Sequence, residues 1–290
     1  MNQHDTILNT YCDQIQKQGY CVVPNIIPTS ECSELRSRII QAVDQYHAKY
    51  ETGRDAANNG IGFVPSLINH EQSYVKYLLS EPLNALMRQF LGVHLRVSFT
   101  SAIINYPLNP SGDWHADWPF NQRNAGRIRA PYSDLLMHMT TLWMLSPFDS
   151  QNGATRIVPG SHRCPTNPTI WDAPFVSPKL ETWNGKPIPH PQEPIQDEVQ
   201  VNGKQGSVLV MDSRLWHATA SNQSASPRVA LAVRYAPWWL NLQVLRPDSD
   251  ERQRMCDESG LTENMVPSIR QTAFAQLPDN LKPLYRHWVE

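Results

Sequence analysis

The sequence predicts a mainly β fold, a double-stranded β-helix (jelly roll) core with flanking helices, and three observations lead there. Helical apolar spacing is confined to the front and the tail of the chain. From Leu95 onward, short segments rich in β-branched residues take over, starting with LRVSFTSAIINYP. Turn signals such as Asn109-Pro110-Ser111-Gly112 and Asn152-Gly153 stand between these segments. Short strands separated by turns, after helices at the front, give this architecture. At 290 residues the chain suits one domain, with a helical N-terminal part (1–92), a jelly-roll core (93–236) and a helical tail (237–290).

Each element has its own signal. Residues 5–18 have apolar positions at helical spacing; Gly19 stops that helix, and YCVVP follows as a short strand. Pro28-Thr29-Ser30-Glu31 opens a second helix, with Thr29 or Ser30 as cap and Leu35, Ile39, Ile40 and Val43 as its buried face. Residues Glu51 to Asn69 are rich in Gly, Asn and Arg and read as a loop over a pocket mouth. A third helix is expected from Gln72 to Leu91, carried by Tyr74, Tyr77, Leu78, Leu83 and Leu86. DLLMHMTTLWML, from Asp134 to Leu145, is a nearly continuous apolar run and predicts a strand buried on both sides, with His138 a member of that strand and no ligand. After Asn152-Gly153 comes ATRIVPGSH, then a Pro-rich stretch to Gly203 with Trp171, Phe175 and Trp183, read as an ordered lid. The last strands are Ser207–Met211 and Val229–Tyr235, and the charged tail after PWWLN is expected to pack on the barrel.

The chemistry centres on DWHADWPF, from Asp113 to Phe120. On a strand, residues two apart project to one face, so His115 and Asp117 can reach one metal ion. The best third ligand is His217, which ends GSVLVMDSRLWH. Two histidines and a carboxylate form the facial triad of non-haem Fe(II) oxygenases, which leaves positions open for a co-substrate and dioxygen. Eleven residues further (228 − 217), Arg228 begins the alternating RVALAVRY and offers a fork for a carboxylate. Two other readings stay open on these residues: a cupin-like metal enzyme without 2-oxoglutarate, and a non-catalytic jelly roll in which His115 and Asp117 share a buried hydrogen bond.

Taken together, QGYCVVPNIIP (18–28), WHADWPF, TLWMLSPFDSQNGATRIVPGSHR (141–163) and HATASNQSASPR resemble the phytanoyl-CoA dioxygenase (PhyH-like) family of Fe(II)/2-oxoglutarate oxygenases, from about Tyr20 to Tyr235. The resemblance implies that His115, Asp117 and His217 ligate Fe(II) and that Arg228 clamps the distal carboxylate of 2-oxoglutarate. It further implies Trp143 beside that co-substrate, and Thr219 and Asn222 near the last ligand. The expected reaction consumes O2 and 2-oxoglutarate, releases succinate and CO2, and hydroxylates an unactivated C–H bond. Desaturation or ring closure are variants of it. Halogenating relatives carry a small residue at the carboxylate position, so Asp117 argues against halogenation.

A net charge of −2 and the lack of a basic block argue against nucleic acid or an anionic membrane as partner. Neither a signal peptide nor an 18-residue apolar run is evident, and five scattered cysteines without a C-x-x-C suit reduced thiols, so a cytoplasmic protein is expected. Its oligomeric state is left open. A small-molecule substrate is the expected partner, lined by Phe63, Trp114, Trp118, Phe120, Arg123, Arg214, Trp216 and Trp239, which flank the ligands or the lid. An acyl-CoA would ask for a basic entrance, and the sequence concentrates only Arg123, Arg127 and Arg129 there. A compact polar metabolite of natural-product biosynthesis is therefore expected, with a guanidinium alkaloid toxin of the cylindrospermopsin type as the specific candidate and acyl-CoA hydroxylation as the alternative.

Overall fold

The computed structural model describes residues 3–50, 60–118, 131, 133–164, 168, 182–183, 186–187, 192–255 and 266–290. Helix α1 (Gln3–Gln18) ends at Gly19, whose φ of 87° is left-handed and where a Cβ would fall 2.6 Å from His162 Nδ1. Only glycine fits there. The chain then enters β1 (Tyr20–Val23), and α2 (Thr29–Tyr50) buries Cys32, Leu35, Ile39, Ala42 and Val43. Ile40, expected on that face, is half-buried at its edge.

Two expectations for the N-terminal part need correcting. The supposed loop contains β2 (Ile61–Pro65), which pairs antiparallel with the later strand Arg96–Asn105, while residues 51–59 of that loop lie outside the described residues. The alternation Ile61, Phe63, Pro65 is that of an edge strand, where a proline costs no ladder bond. The supposed helix from Gln72 is a 3-10 turn, Val75–Tyr77, followed by α3 (Leu83–Leu91), with Pro82 at the N-cap. A proline disfavours helical backbone in the residue before it, so the two halves cannot be one helix.

Strands then follow in order: β3 (Arg96–Asn105), β4 (Met139–Met144), β5 (Thr155–Ile157), β6 (Thr182–Trp183), β7 (Lys186–Pro187), β8 (Val199–Gln200), β9 (Val208–Asp212), β10 (His217–Thr219) and β11 (Arg228–Ala236). They form a six-stranded sheet in the order β1-β9-β4-β11-β3-β2, a three-stranded sheet β10-β5-β8, and a two-residue pair β6-β7, antiparallel throughout. This is the double-stranded β-helix. The N-terminal part supplies both edges of its larger sheet. β4, between β9 and β11, is buried at every position, as its apolar run predicts. The lid region, 163–203, lies largely outside the described residues, including Trp171 and Phe175.

Register assigns the two faces of the larger sheet. Arg228 opposes Asn105, Ala230 opposes Ile103 and Met144, Ala232 opposes Ser101 and Leu142, and Arg234 opposes Phe99 and Thr140. These residues share one face, because paired positions in a ladder project together. Leu231 and Val233 share the other face with Trp143 and Thr141. The tail joins the main core through Val266, Ile269, Leu277, Leu281, Leu284, Tyr285 and Trp288. Among the described residues, no helix is long and apolar enough to cross a membrane.

Candidate metal centre

His115 and His217 lie directly opposite each other in a short antiparallel bridge, each backbone N–H donating to the other's carbonyl at 2.9 Å. This places both imidazoles on one face, with ring centroids 4.2 Å apart. Two residues on, the backbone N–H groups of Asp117 and Trp118 both donate to Ser213 O, at 2.8 and 2.9 Å, so the extended run bends there. Asp117 is thereby brought under the two rings, its Oδ1 3.9 Å from His115 Nε2 and its Oδ2 3.7 Å from His217 Nε2. One potential ligand atom from each of the three residues lies within 4.8 Å of the other two.

The donor chemistry fits a divalent cation. His115 Nδ1 faces Asp113 O and His217 Nδ1 faces Leu215 O, both at 2.9 Å. A carbonyl only accepts, so each Nδ1 carries the proton and each Nε2 presents a lone pair to the centre. Burial, then the neighbouring His115, lowers the His217 pKa to about 4, so that ring is neutral near pH 7. For Asp117, burial pushes the pKa up, but Arg234 first, then both histidines and Thr140, hold the carboxyl below the usual carboxylate range. Two neutral imidazoles and one carboxylate are the set that leaves coordination positions open on a non-haem iron.

Around the trio runs a polar network that the sequence reading missed. Arg234 Nη2 donates to Asp117 Oδ1 at 2.5 Å and Thr140 Oγ1 donates to Oδ2 at 2.8 Å. Thr140 Oγ1 and His138 Nδ1 each lie 2.8 Å from Ser213 Oγ, and His138 Nε2 lies 2.8 Å from Ser98 Oγ. Burial, then Arg234, lowers the His138 pKa to about 3. His138 is thus no ligand, as expected, but it supports the residue that holds Asp117. For Arg234 a signal was legible: a charge inside an apolar alternation, six residues (234 − 228) from Arg228 and so on the same face.

Arg228 occupies the other end of that strand face. It is 2% exposed, its guanidinium lies over the Phe148 ring at 4.5 Å, and its Nε has no hydrogen-bond partner among the described residues. Burial lowers its pKa to about 10, so it stays cationic at neutral pH. Ala230 and Ala232 are the small residues between the two arginines on that face. A buried guanidinium whose Nε has no partner among the described residues suits an anionic ligand such as a dicarboxylate.

The structure corrects several further expectations. Trp143 is fully buried on the opposite face from Arg228, its Nε1 donating to Thr141 Oγ1 at 2.8 Å, so it is not beside the co-substrate space. Alternation decides this, since Trp143 and Thr140 differ in parity. Trp114 and Trp216 each precede a histidine by one residue and therefore point away from it, into a second cluster with Ala116, Val158, Ile195 and Ala218. Arg214 is held by Asp212 and Asp134, at 2.7 and 3.1 Å, and is not free for a substrate. Trp239, 52% exposed, is not among the residues lining the cavity beside Asp117.

The other expected residues have different surroundings. Trp118 escapes the alternation at the bend on Ser213 and stacks on His138 at 5.7 Å, lining that cavity with Phe99, Ser98, Arg234, Leu245 and Val266. Phe63 stacks with Phe99 at 6.2 Å on the same sheet face. Thr219 shares the face of His217, two residues away. Asn222 is occupied by the loop ahead of Arg228, donating to Asn105 O and Ser226 O and accepting from Ser224. Phe120 and Arg123 lie outside the described residues.

Comparison with known proteins agrees with this geometry. The profile of the family described as phytanoyl-CoA dioxygenase (PhyH) matches residues 15–230. The dioxygenase af480 of Aspergillus fumigatus is 25% identical over 89% of this chain and 74% of its own length. The dioxygenase cdmA of Talaromyces verruculosus is 24% identical over 87% and 84%. Among solved structures, the epimerase SnoN in complex with Fe3+, alpha-ketoglutarate and nogalamycin RO superposes with a TM-score of 0.57 at 19% identity, covering 80% of this chain and 84% of that one. EctD from S. alaskensis with 2-oxoglutarate and 5-hydroxyectoine gives 0.54 at 16%, covering 78% and 74%. The chain belongs to the phytanoyl-CoA dioxygenase family and is a non-haem iron, 2-oxoglutarate-dependent dioxygenase of double-stranded β-helix fold.

Proposed function

We propose that this dioxygenase hydroxylates an unactivated C–H bond of a small polar metabolite in natural-product tailoring, working in the cytoplasm. The observation that carries the reaction type is Asp117, a buried and doubly hydrogen-bonded carboxylate in the ligand set. It occupies the position that a halide would need. For the substrate class, support comes from the cavity lining beside Asp117, where Phe99, Trp118, Leu245 and Val266 accompany one cation, Arg234, that is already paired. Among the described residues this lining brings no cluster of charges to meet the phosphates of an acyl-CoA, which favours a compact ligand. The cysteines Cys12, Cys21, Cys32 and Cys164 are free thiols, in keeping with a reducing compartment.

In this reading His115, Asp117 and His217 hold Fe(II), and Arg228 takes the distal carboxylate of 2-oxoglutarate through its guanidinium. Iron and 2-oxoglutarate supply the oxidation when bound: O2 gives one atom to the substrate hydroxyl and one to succinate, with CO2 released. The protein's own part is placement. His115 and His217 keep their Nε2 lone pairs on the centre because both Nδ1 protons are committed to backbone carbonyls. Phe63 and Phe99 stack on the sheet face that carries Arg228 and Arg234.

Anaerobic titration with Fe(II) and 2-oxoglutarate, followed by succinate release with a substrate panel, tests the proposal. A visible charge-transfer band and succinate coupled to a hydroxylated small polar metabolite are expected. The deoxy form of a cylindrospermopsin-type guanidinium alkaloid is the first compound to assay. Turnover of acyl-CoA substrates alone, or a chlorinated product in chloride buffer, would overturn it.

A further inference from the structure

Arg234 and Thr140 seize opposite oxygens of one carboxylate, and neither has a part in the reading given above. A carboxylate's terminal torsion is broad and roughly two-fold, so a lone buried aspartate would sample many orientations toward a metal. Here Arg234 Nη2 takes Oδ1 at 2.5 Å and Thr140 Oγ1 takes Oδ2 at 2.8 Å. The two clamps are themselves fixed. Arg234 and Thr140 are ladder partners on β11 and β4, and the Arg234 guanidinium lies 4.5 Å over the ring of Phe99, its ladder partner on β3. Arg234 also lies beyond residues 15–230, the part of the chain that matches the family profile.

We propose that Arg234 is a positioning residue for the metal centre: by locking the rotation of the Asp117 carboxylate it presets the ligand trio and sets how tightly the protein holds its metal. This rests on the reading of His115, Asp117 and His217 as the iron ligands. Groups that orient a metal ligand from outside the coordination sphere govern affinity for the metal, whereas groups that touch the co-substrate govern affinity for the co-substrate. Arg234 is therefore separable from Arg228 by measurement, although the two share a strand face.

The test uses Co(II) as an anaerobic probe, read by its visible absorption, in wild type, Arg234→Met, Arg234→Lys and Thr140→Val, followed by 2-oxoglutarate titration of each metal-saturated protein. For Arg234→Met the dissociation constant for Co(II) is expected to rise about 10–100-fold, with that for 2-oxoglutarate changed less than about threefold. Arg234→Lys, which keeps a cationic donor, is expected to recover part of the metal affinity. Metal affinity of Arg234→Met within about threefold of wild type overturns the proposal, and so does a loss confined to 2-oxoglutarate. If Arg234→Met does not fold, Thr140→Val decides, since it keeps the volume and removes the other clamp. Weaker Co(II) binding supports the locking role and unchanged binding overturns it. A wild-type protein that binds no Co(II) refutes the metal-centre reading itself, before any variant is compared.

Discussion

Arg228 and Arg234 share strand β11, one sheet face and an aromatic ring beneath the guanidinium at 4.5 Å, yet they are in opposite electrostatic situations. Arg234 has a carboxylate at 2.5 Å, while among the described residues Arg228 has none. A buried ion without a counter-ion costs stability, whereas removing one partner of a buried pair leaves the other uncompensated. The comparison teaches how to separate a cation placed for a ligand from one placed for the protein: the first burdens the empty fold, and the second supports it.

The sharpest way to break this comparison is to replace each arginine by methionine. Arg228→Met is expected to weaken 2-oxoglutarate binding about 100-fold or more, the loss of a desolvated charge pair, while the metal-free protein melts no lower than wild type. Arg234→Met is expected to destabilise the metal-free protein by about 3 kcal/mol, because it strands the buried Asp117 carboxylate. Thermal melts without metal and equilibrium titration with 2-oxoglutarate read both. If Arg228→Met melts as low as Arg234→Met, the assignment of Arg228 to a ligand fails.

An intermediate effect is expected from pH. His217 is held neutral, its pKa lowered to about 4 from an ordinary 6.5, so the unfolded chain binds a proton before the folded one does. Metal-free stability should thus be full above pH 6.5 and fall between 6.5 and 4, by at most about 3 kcal/mol from this group. His138, lowered to about 3, extends the decline to lower pH. Asp117 acts below the ordinary carboxylate range: its lowered pKa contributes stability above that range, lost as pH falls through it. Chemical denaturation of the metal-free protein across this pH range checks the slope, and a flat profile would mean that His217 titrates alike in the folded and unfolded chain.

The smallest expected effect concerns the face itself. Trp143→Phe removes the donor to Thr141 Oγ1 on the far side of the sheet and should cost about 1–3 kcal/mol of stability. It should leave the dissociation constant for 2-oxoglutarate unchanged. A selective loss of 2-oxoglutarate binding in that variant would return Trp143 to the co-substrate side.

Much of the site was legible because its spacing is local. A strand's period of two places His115 and Asp117 on one side, and likewise Arg228 and Arg234, whatever the rest of the chain does. The same rule placed Trp114 and Trp216 away from the histidines they precede, so nearness in sequence misled where alternation did not. The breaks in helices and strands were less legible: Pro82 divided a stretch whose apolar spacing alone reads as continuous, and Ile61–Pro65 became a strand because β3 offered it an edge.

By itself, then, the sequence determined the ligand types, their parity and the alternating strand that carries the arginines, since all of these depend on covalent spacing and local backbone preference. Only the tertiary structure decided that His115 meets His217 across 102 residues of chain (217 − 115), that Arg214 is spent on Asp212 and Asp134, and that Arg234 reaches Asp117. Those outcomes depend on which strand lies beside which and in what register. Register is set by the burial of whole sheet faces, a property that no short stretch of sequence contains.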